Sequence, residues 1–473
     1  MIRNTSFFIN GQWQQPHSSK TIDVVNPANG QVFATVAAAN EKDIDSAIAS
    51  AKYAFPKWSN STAPERSDLI HAVADAMQTR IEQFTDVISA TMGCPKHLAK
   101  DIQVQGSIDA FRKFAELTDV AKSQQNENGI IHAFSPVGVC VLINPWNYPL
   151  SQLVGKLGPA LAAGCTVVAK PAEQTPLQDF LLAEIFIQID APAGIFNVIS
   201  GIGNEIGPYL CSHPDVSMVS FTGSTTAGIE VAKAAAPSVK RVCQELGGKS
   251  PYIIANDADL EPAVRYGVED VMLNTGQTCN ALTRMLVHES QYNEAVNVAK
   301  QIAEENKVGA PDSPDVTMGP LSSVKQQERV RSHIKKGISE GATLVTGGVD
   351  LPKKLTTGAY VLPTIFADVH SDMVIAQEEI FGPVLCIMSY QTIEQAIEIA
   401  NDTKYGLSCA VYAKDAESAI EIGRQIRAGQ CYVQGSYFNT DAPFGGFKQS
   451  GNGREWGIEG LKEYLEVQAF ITQ

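Results

Sequence analysis

The sequence predicts an α/β fold: a doubly wound parallel sheet in a dinucleotide-binding unit, with a second α/β unit after it. Three observations lead there. From residue 137, short apolar runs recur: Val137–Ile143, Cys165–Ala169, Ile195–Ile199, Val216–Phe221 and Pro251–Ile254. Runs that are apolar throughout, rather than alternating, are strands buried on both faces, as parallel sheets covered by helices require. Each run ends in Gly, Pro or polar residues and leads into a helical pattern, the rhythm of successive βαβ units.

The elements follow in order. Phe7-Phe-Ile-Asn10-Gly11-Gln-Trp13 carries an Asn-Gly turn between apolar residues, and Asn26-Pro-Ala-Asn-Gly30 marks a second turn, so the start reads β. A helix begins near Asn40, a good N-cap, with Ile44, Ala47, Ile48 and Ala51 on one face. Another begins near Pro64 and carries Leu69, Ile70, Val73, Ala76 and Met77. After residue 260 the alternation is less regular: Glu289–Glu305 and Ile393–Asn401 read helical, and Gly358–Val369 reads extended. The chain closes on Tyr464-Leu-Glu-Val-Gln-Ala-Phe-Ile471, a terminal strand that needs an edge to pair with, on another subunit for example.

Composition narrows the function classes. At roughly 150 residues per domain, 473 residues suggest about three folding units. The chain is 44% apolar and 18% charged, hence globular, and its net charge of -15 repels nucleic acid and anionic lipid. No apolar run approaches a membrane span, and the N-terminus has no apolar core of a secretory signal. The nine cysteines are odd in number, widely spaced and without a CxxC pair, against a disulfide framework or a Cys-rich metal site. Reduced thiols in a cytoplasm are expected, one of them chemically special.

Two motifs are decoys. Gly201-Ile-Gly203-Asn-Glu-Ile-Gly207 has GxGxxxG spacing and reads better as a strand-to-helix turn than as a dinucleotide fingerprint. Gly248-Lys-Ser250 lacks the leading P-loop glycine, because position 243 is Cys243. A better phosphate cradle is Phe221-Thr-Gly223-Ser224, at a strand end that opens a helix near Thr225; an ordinary N-cap fits it as well. Lys170 and Glu173 share one strand-end loop within reach of ribose hydroxyls, and a carboxylate there repels a 2′-phosphate, favouring NAD over NADP. Cys279, in Asn274-Thr-Gly-Gln-Thr-Cys279, follows a Gly-containing turn where N–H donors create an oxyanion site and a lowered thiol pKa. Glu245, on an apolar segment beside Gly247 and Gly248, is expected to be desolvated, with its pKa raised toward general-base range. No His belongs with Cys279; His288 is the nearest.

Together these pieces resemble the NAD(P)-dependent aldehyde dehydrogenase superfamily, in its hydrolytic, non-phosphorylating branch. The motifs run in that family's order: Pro145-Trp-Asn147-Tyr-Pro149, Lys170-Pro-Ala-Glu173, Phe221-Thr-Gly-Ser-Thr225, Glu245-Leu-Gly-Gly-Lys-Ser-Pro251, Gly276-Gln-Thr-Cys279, Glu379-Ile-Phe-Gly-Pro383 and Pro443-Phe-Gly-Gly-Phe-Lys-Gln-Ser-Gly451. The resemblance implies oxidation of an aldehyde to the acid with NAD. Cys279 matches the nucleophile, Asn147 the oxyanion donor, Glu245 the base for deacylation and Lys156 a lysine of the proton path. Ile143, Trp146, Lys170, Glu173, Gly203, Phe221, Gly223, Ser224, Leu246, Glu379 and Phe381 are the expected cofactor contacts. Glu245 also separates hydrolysis from acyl transfer to coenzyme A. Residues 1–117 and 137–246 would form the NAD-binding domain and 247–449 the catalytic domain. Residues 118–136 and 450–473 would form the oligomerisation element of a homodimer or homotetramer.

Two positions depart from the family pattern. Gln434 stands where many relatives carry Asn, which leaves specificity open, and Gly155 replaces a residue that is often large, which suggests a roomier pocket. Tyr148, Thr278, Asn280, Phe438 and Phe444 are the expected pocket lining; no Arg is among them, which disfavours an ω-carboxyl substrate.

Overall fold

The computed structural model describes residues 2–353 and 355–471. Its larger sheet has the strand order Gly451–Asn452, Arg241–Glu245, Met218–Thr222, Val139–Ile143, Thr166–Lys170, Phe196–Val198, Phe7–Ile9, Gln12–Gln14. The five central strands are parallel. From Val139–Ile143 the chain first winds outward through 166–170 and 196–198, then crosses back to 218–222 and 241–245. Strand order therefore reverses beside Val139–Ile143, and a ligand crevice opens at the carboxyl ends of strands at such a point.

The N-terminal elements follow from local chemistry. Phe7–Ile9 and Gln12–Gln14 pair antiparallel around Asn10 (φ +54°) and Gly11 (φ +74°), the left-handed pair an Asn-Gly turn supplies. Asn40 and Asp43 cap the helix Glu41–Ser59 reciprocally, and Thr62 and Glu65 do the same for Ala63–Thr79.

The first central strand starts at Val139 and not at Val137. Gly138 turns the backbone at φ +130°, and the N–H of Val137 donates to Tyr464 O at 3.0 Å. The helix that follows, Pro149–Ala163, is buried on nearly every side. Gly164 ends it at φ +95°, and the fully buried Arg66 guanidinium donates to Ala162 O and Ala163 O at 3.2 and 2.6 Å. A cation on the last carbonyls opposes the helix dipole and holds the helix in place.

The second sheet has the order Thr343–Thr346, Thr364–Ala367, Val384–Tyr390, Arg284–His288, Pro251–Ile254, Ser408–Tyr412, Gln430–Val433. All its pairings are parallel except that of Thr343–Thr346. Residues 246–250 connect the two sheets. Two small sheets complete the fold: Ile2–Asn4 with Val32–Ala37 and Thr21–Val25, and Gln124–Glu127 with Ile130–Pro136 and Leu465–Ile471.

The terminal strand finds the edge it needs within its own chain: Leu465–Ile471 pairs antiparallel with Ile130–Pro136 along its whole length. Among the described residues no strand pairs with its other edge, and Val467, Phe470 and Ile471 are exposed. Gly451–Asn452 pairs with Gln244 and Glu245 instead, returning the chain to the larger sheet.

Candidate active site

Cys279 lies at the end of an unusual turn. Asn274 (φ +53°), Thr275 (φ +56°) and Gly276 (φ +69°) are left-handed in succession, which non-glycine residues rarely adopt. The surroundings enforce it. Asn274 Nδ2 donates to Asn147 O at 3.0 Å, Thr275 Oγ1 to Gly319 O at 3.1 Å, and Gln277 Nε2 to Asn274 O at 3.1 Å. Strain of this kind persists only where neighbours over-determine it, and it clusters at functional sites. Gly248 lets the backbones close, since a Cβ there would stand 2.4 Å from Cys279 O.

The Asn147 side chain is buried and its Nδ2 donates to Gln277 O at 3.0 Å, two residues before Cys279. The amide nitrogen carries a second hydrogen that this bond does not use. Glu245 ends its strand fully buried, with Oε2 unpartnered. Burial, and next the Glu455 carboxylate, push its pKa well above the carboxylate range, as expected from the sequence. Lys156, entirely buried, places Nζ 2.9 Å from Glu455 Oε1 and 3.2 Å from Gln152 O.

Glu455 was not singled out by the sequence reading. Its backbone pairs with Phe444 in both directions at 2.7 Å, and its side chain meets Lys156. The available signal was an acidic residue between Gly453 and Gly457 in a segment that turns back into the core.

The expected lowering of the Cys279 thiol pKa is not found. Burial pushes it up, and the Glu379 and Glu245 carboxylates add to the rise. The turn presents amide donors, but the charges facing the sulfur are negative. His288 is engaged elsewhere, with its ring nitrogens on Ser290 Oγ and Gln391 O.

Several of the expected cofactor contacts lie near the carboxyl ends of the strands at the reversal. Ile143, the last residue of its strand, pairs with Phe221 on the neighbouring one, and Trp146 meets Phe381 edge-on with centroids 5.3 Å apart. Ser224 caps the helix Thr225–Ala235, accepting from Ala227 N at 3.3 Å, and Gly223 N donates to Glu245 O at 3.0 Å. Leu246 is buried, with its N–H on Ser450 O. At the other corner, the Lys170 ammonium lies 4.0 Å from Glu173 Oε2, and Glu173 Oε1 accepts from the N–H of Gly203, the first residue of helix Gly203–Ser212. The motif at 201–207 is thus a strand-to-helix turn. The residues fit a ribose diol: a Cβ at Gly203 would project to within 3.3 Å of Glu173 Oε1 and 3.9 Å of Lys170 Nζ, so the glycine leaves the corner between the two side chains open. Glu379 Oε1 accepts from Gly248 N at 3.0 Å, and burial moves its carboxyl pKa up to about 7.

On the pocket side, Tyr148 Oη and Thr278 Oγ1 are hydrogen-bonded at 2.8 Å, and Asn280 Nδ2 donates to Tyr432 Oη at 2.8 Å. Phe438 and Phe444 meet edge-on at 5.7 Å. The space above Gly155 is occupied by the Trp456 ring: a Cβ at 155 would be 2.7 Å from Trp456 Cζ2. Gln434 is spent on the backbone, with Oε1 accepting from Ala413 N at 2.6 Å and Nε2 donating to Ala413 O at 2.8 Å.

A thiol beside a buried amide donor, a buried carboxylate and a dinucleotide crevice defines a class of enzyme: covalent oxidoreductases working on a carbonyl carbon. Residues 13–470 match the aldehyde dehydrogenase family. The chain is 44% identical to the 3-succinoylsemialdehyde-pyridine dehydrogenase of a Pseudomonas species, over 98% of both chains. Among solved structures it is similar to an alanine variant of aldehyde dehydrogenase C from Pseudomonas syringae with NAD+ and octanal (TM-score 0.97, 44% identity, covering 99% of this chain and 96% of that one). It is also similar to a Mycobacterium tuberculosis aldehyde dehydrogenase with NAD+ (TM-score 0.96, 40% identity, covering 100% and 99%). The chain belongs to the aldehyde dehydrogenase family.

Proposed function

We propose that this protein oxidises an aldehyde to the carboxylic acid with NAD, through a thioester on Cys279. The observation that carries this is the lashing of the Cys279 turn to Asn147 at the mouth of the crevice, with Glu245 buried behind it. Solved relatives hold NAD+, one of them with octanal.

The thiolate of Cys279 attacks the aldehyde carbon, forming a C–S bond and an alkoxide. The Asn147 amide and the Cys279 N–H hold that oxygen, and two preset donors stabilise the charge only where it develops. Because the free thiol is disfavoured as an anion here, its proton must leave as the carbonyl arrives; Glu245, whose raised pKa makes it a competent base, takes it. NAD supplies the acceptor for the hydride that the alkoxide expels. Before water reacts, Glu245 gives up the thiol's proton toward Glu455, which the Lys156 ammonium holds in place. Ionised again, Glu245 deprotonates water, whose oxygen attacks the thioester carbon, and the departing sulfur takes that proton from Glu245, leaving acid and thiol.

Lys170, Glu173 and Gly203 would hold the adenine ribose, Ser224 and its helix N-terminus the pyrophosphate, and Glu379 and Phe381 the nicotinamide ribose. In this reading 1–117 and 137–246 are the NAD-binding domain, 247–449 the catalytic domain, and 118–136 with 450–473 the oligomerisation element. The open edge of Leu465–Ile471 supports a homodimer or homotetramer. The nine free thiols fit a cytoplasm, and among the described residues no helix is long and apolar enough to cross a membrane.

The test is reduced-nicotinamide formation across an aldehyde panel, with the acid identified as product. Turnover undiminished in Cys279→Ala overturns the mechanism.

A further inference from the structure

Trp456 has φ +63° and ψ 161°. Glycine tolerates that conformation; a bulky side chain there is an outlier that needs a reason. The ring is 4% exposed and wedged among aromatics. It stacks on Phe114 (centroids 5.9 Å apart, interplanar angle 21°) and meets Phe438 edge-on at 5.8 Å. Phe438 in turn leads to Phe444.

Gly155 lies beneath the indole. A Cβ there would stand 2.7 and 2.9 Å from Trp456 Cζ2 and Cε2, so any side chain at 155 must displace the ring. The neighbours of these two residues are the ion pair: Lys156 follows Gly155, and Glu455 precedes Trp456. The two segments therefore meet twice, once through charge and once through shape. The volume that a large residue on helix Pro149–Ala163 would occupy is filled from the opposite side, and the backbone is strained to fill it.

We propose that Trp456 is a specificity-determining residue: seated over Gly155, its indole is the end wall of the acyl pocket behind Phe438 and Phe444, and it limits the length of aldehyde accepted. This deepens the reading of the protein as an aldehyde dehydrogenase and rests on it for the identity of the bound chain.

The experiment compares wild type with Trp456→Ala, Gly155→Ala, and the double variant Gly155→Trp with Trp456→Gly. It reads kcat/KM for butanal and decanal, and calorimetric dissociation constants for butanoate and decanoate. Trp456→Ala is expected to raise the decanal-to-butanal ratio by about tenfold or more, the scale that a few buried methylenes command. Gly155→Ala, pushing the ring into the pocket, is expected to lower it. The double variant is expected to return it toward wild type, because the lost volume is refilled. Loss of fold lowers both substrates together and leaves the binding ratio of the remaining folded protein unchanged, which overturns the proposal, as does an unchanged ratio in active variants. If no aldehyde is turned over but the carboxylate ratio shifts as described, the wall assignment stands and the reaction assignment falls.

Discussion

The Lys156 ammonium and the Glu455 carboxylate form a 2.9 Å ion pair sealed from solvent, near enough to the buried carboxyl of Glu245 to act on its charge. Lys156 holds Glu245 toward its ionised form, and Glu455 opposes it. In the proposed mechanism the pair would set the pH at which Glu245 works as base.

Glu455→Gln removes the opposing charge while Lys156 stays. The pKa of Glu245 then falls, and the acidic limb of the kcat profile moves to lower pH. An uncompensated buried ammonium also costs about 3–5 kcal/mol. A pH–rate profile and a denaturant titration check both; an unmoved acidic limb separates Glu455 from the base.

In the proposed site, cofactor choice would rest on Glu173. With Oε1 on Gly203 N–H and Oε2 near Lys170, a 2′-phosphate would meet a fixed carboxylate. Glu173→Gln is expected to lower the NAD-to-NADP ratio of kcat/KM by about tenfold, or ~1.4 kcal/mol. Comparable efficiency with both cofactors in the wild type removes this role.

The Asn147 amide donates to Gln277 O in the turn that leads to Cys279. Asn147→Ala is expected to lower kcat by about 10²–10³, with NAD affinity retained, since the change is felt where the alkoxide forms. Steady-state kinetics and NAD titration read the two effects separately.

Burial raises the Glu379 carboxyl pKa to about 7. In the proposed site a ribose hydroxyl would donate to its ionised form, so bound NAD would favour proton loss. NAD affinity therefore rises as pH passes from 6 to 8, by a factor set by that donor bond. Glu379→Gln flattens the dependence. Calorimetry across that range is the check.

Much of the frame was legible in the sequence, because strands covered on both faces must be apolar throughout. Val137–Ile143 and Pro251–Ile254 announced themselves that way, and Asn10-Gly11 and Asn40 carried their turn and cap chemistry locally. Cys279 was legible through Gly276, but Asn274 and Thr275 give no sign of their left-handed backbone, which Asn147 and Gly319 impose from afar. Glu455 and Trp456 were illegible for the same reason: their meaning comes from Lys156 and Gly155, on a helix far away in sequence. Gly155 said less, because a missing side chain reveals space without revealing what fills it. The terminal strand showed its extended pattern, not its partner, Ile130–Pro136.

The most direct measurement is the intact mass of Glu245→Gln protein mixed with excess NAD and one aldehyde, followed by peptide mapping. Gln takes no proton from the thiol, so the thioester is expected to form slowly, but with no base to activate water it should persist: the mass rises by one acyl group, mapped to Cys279, with one reduced nicotinamide formed per site. Unmodified protein after that first turnover, or an acyl group on any other residue, contradicts covalent catalysis at Cys279.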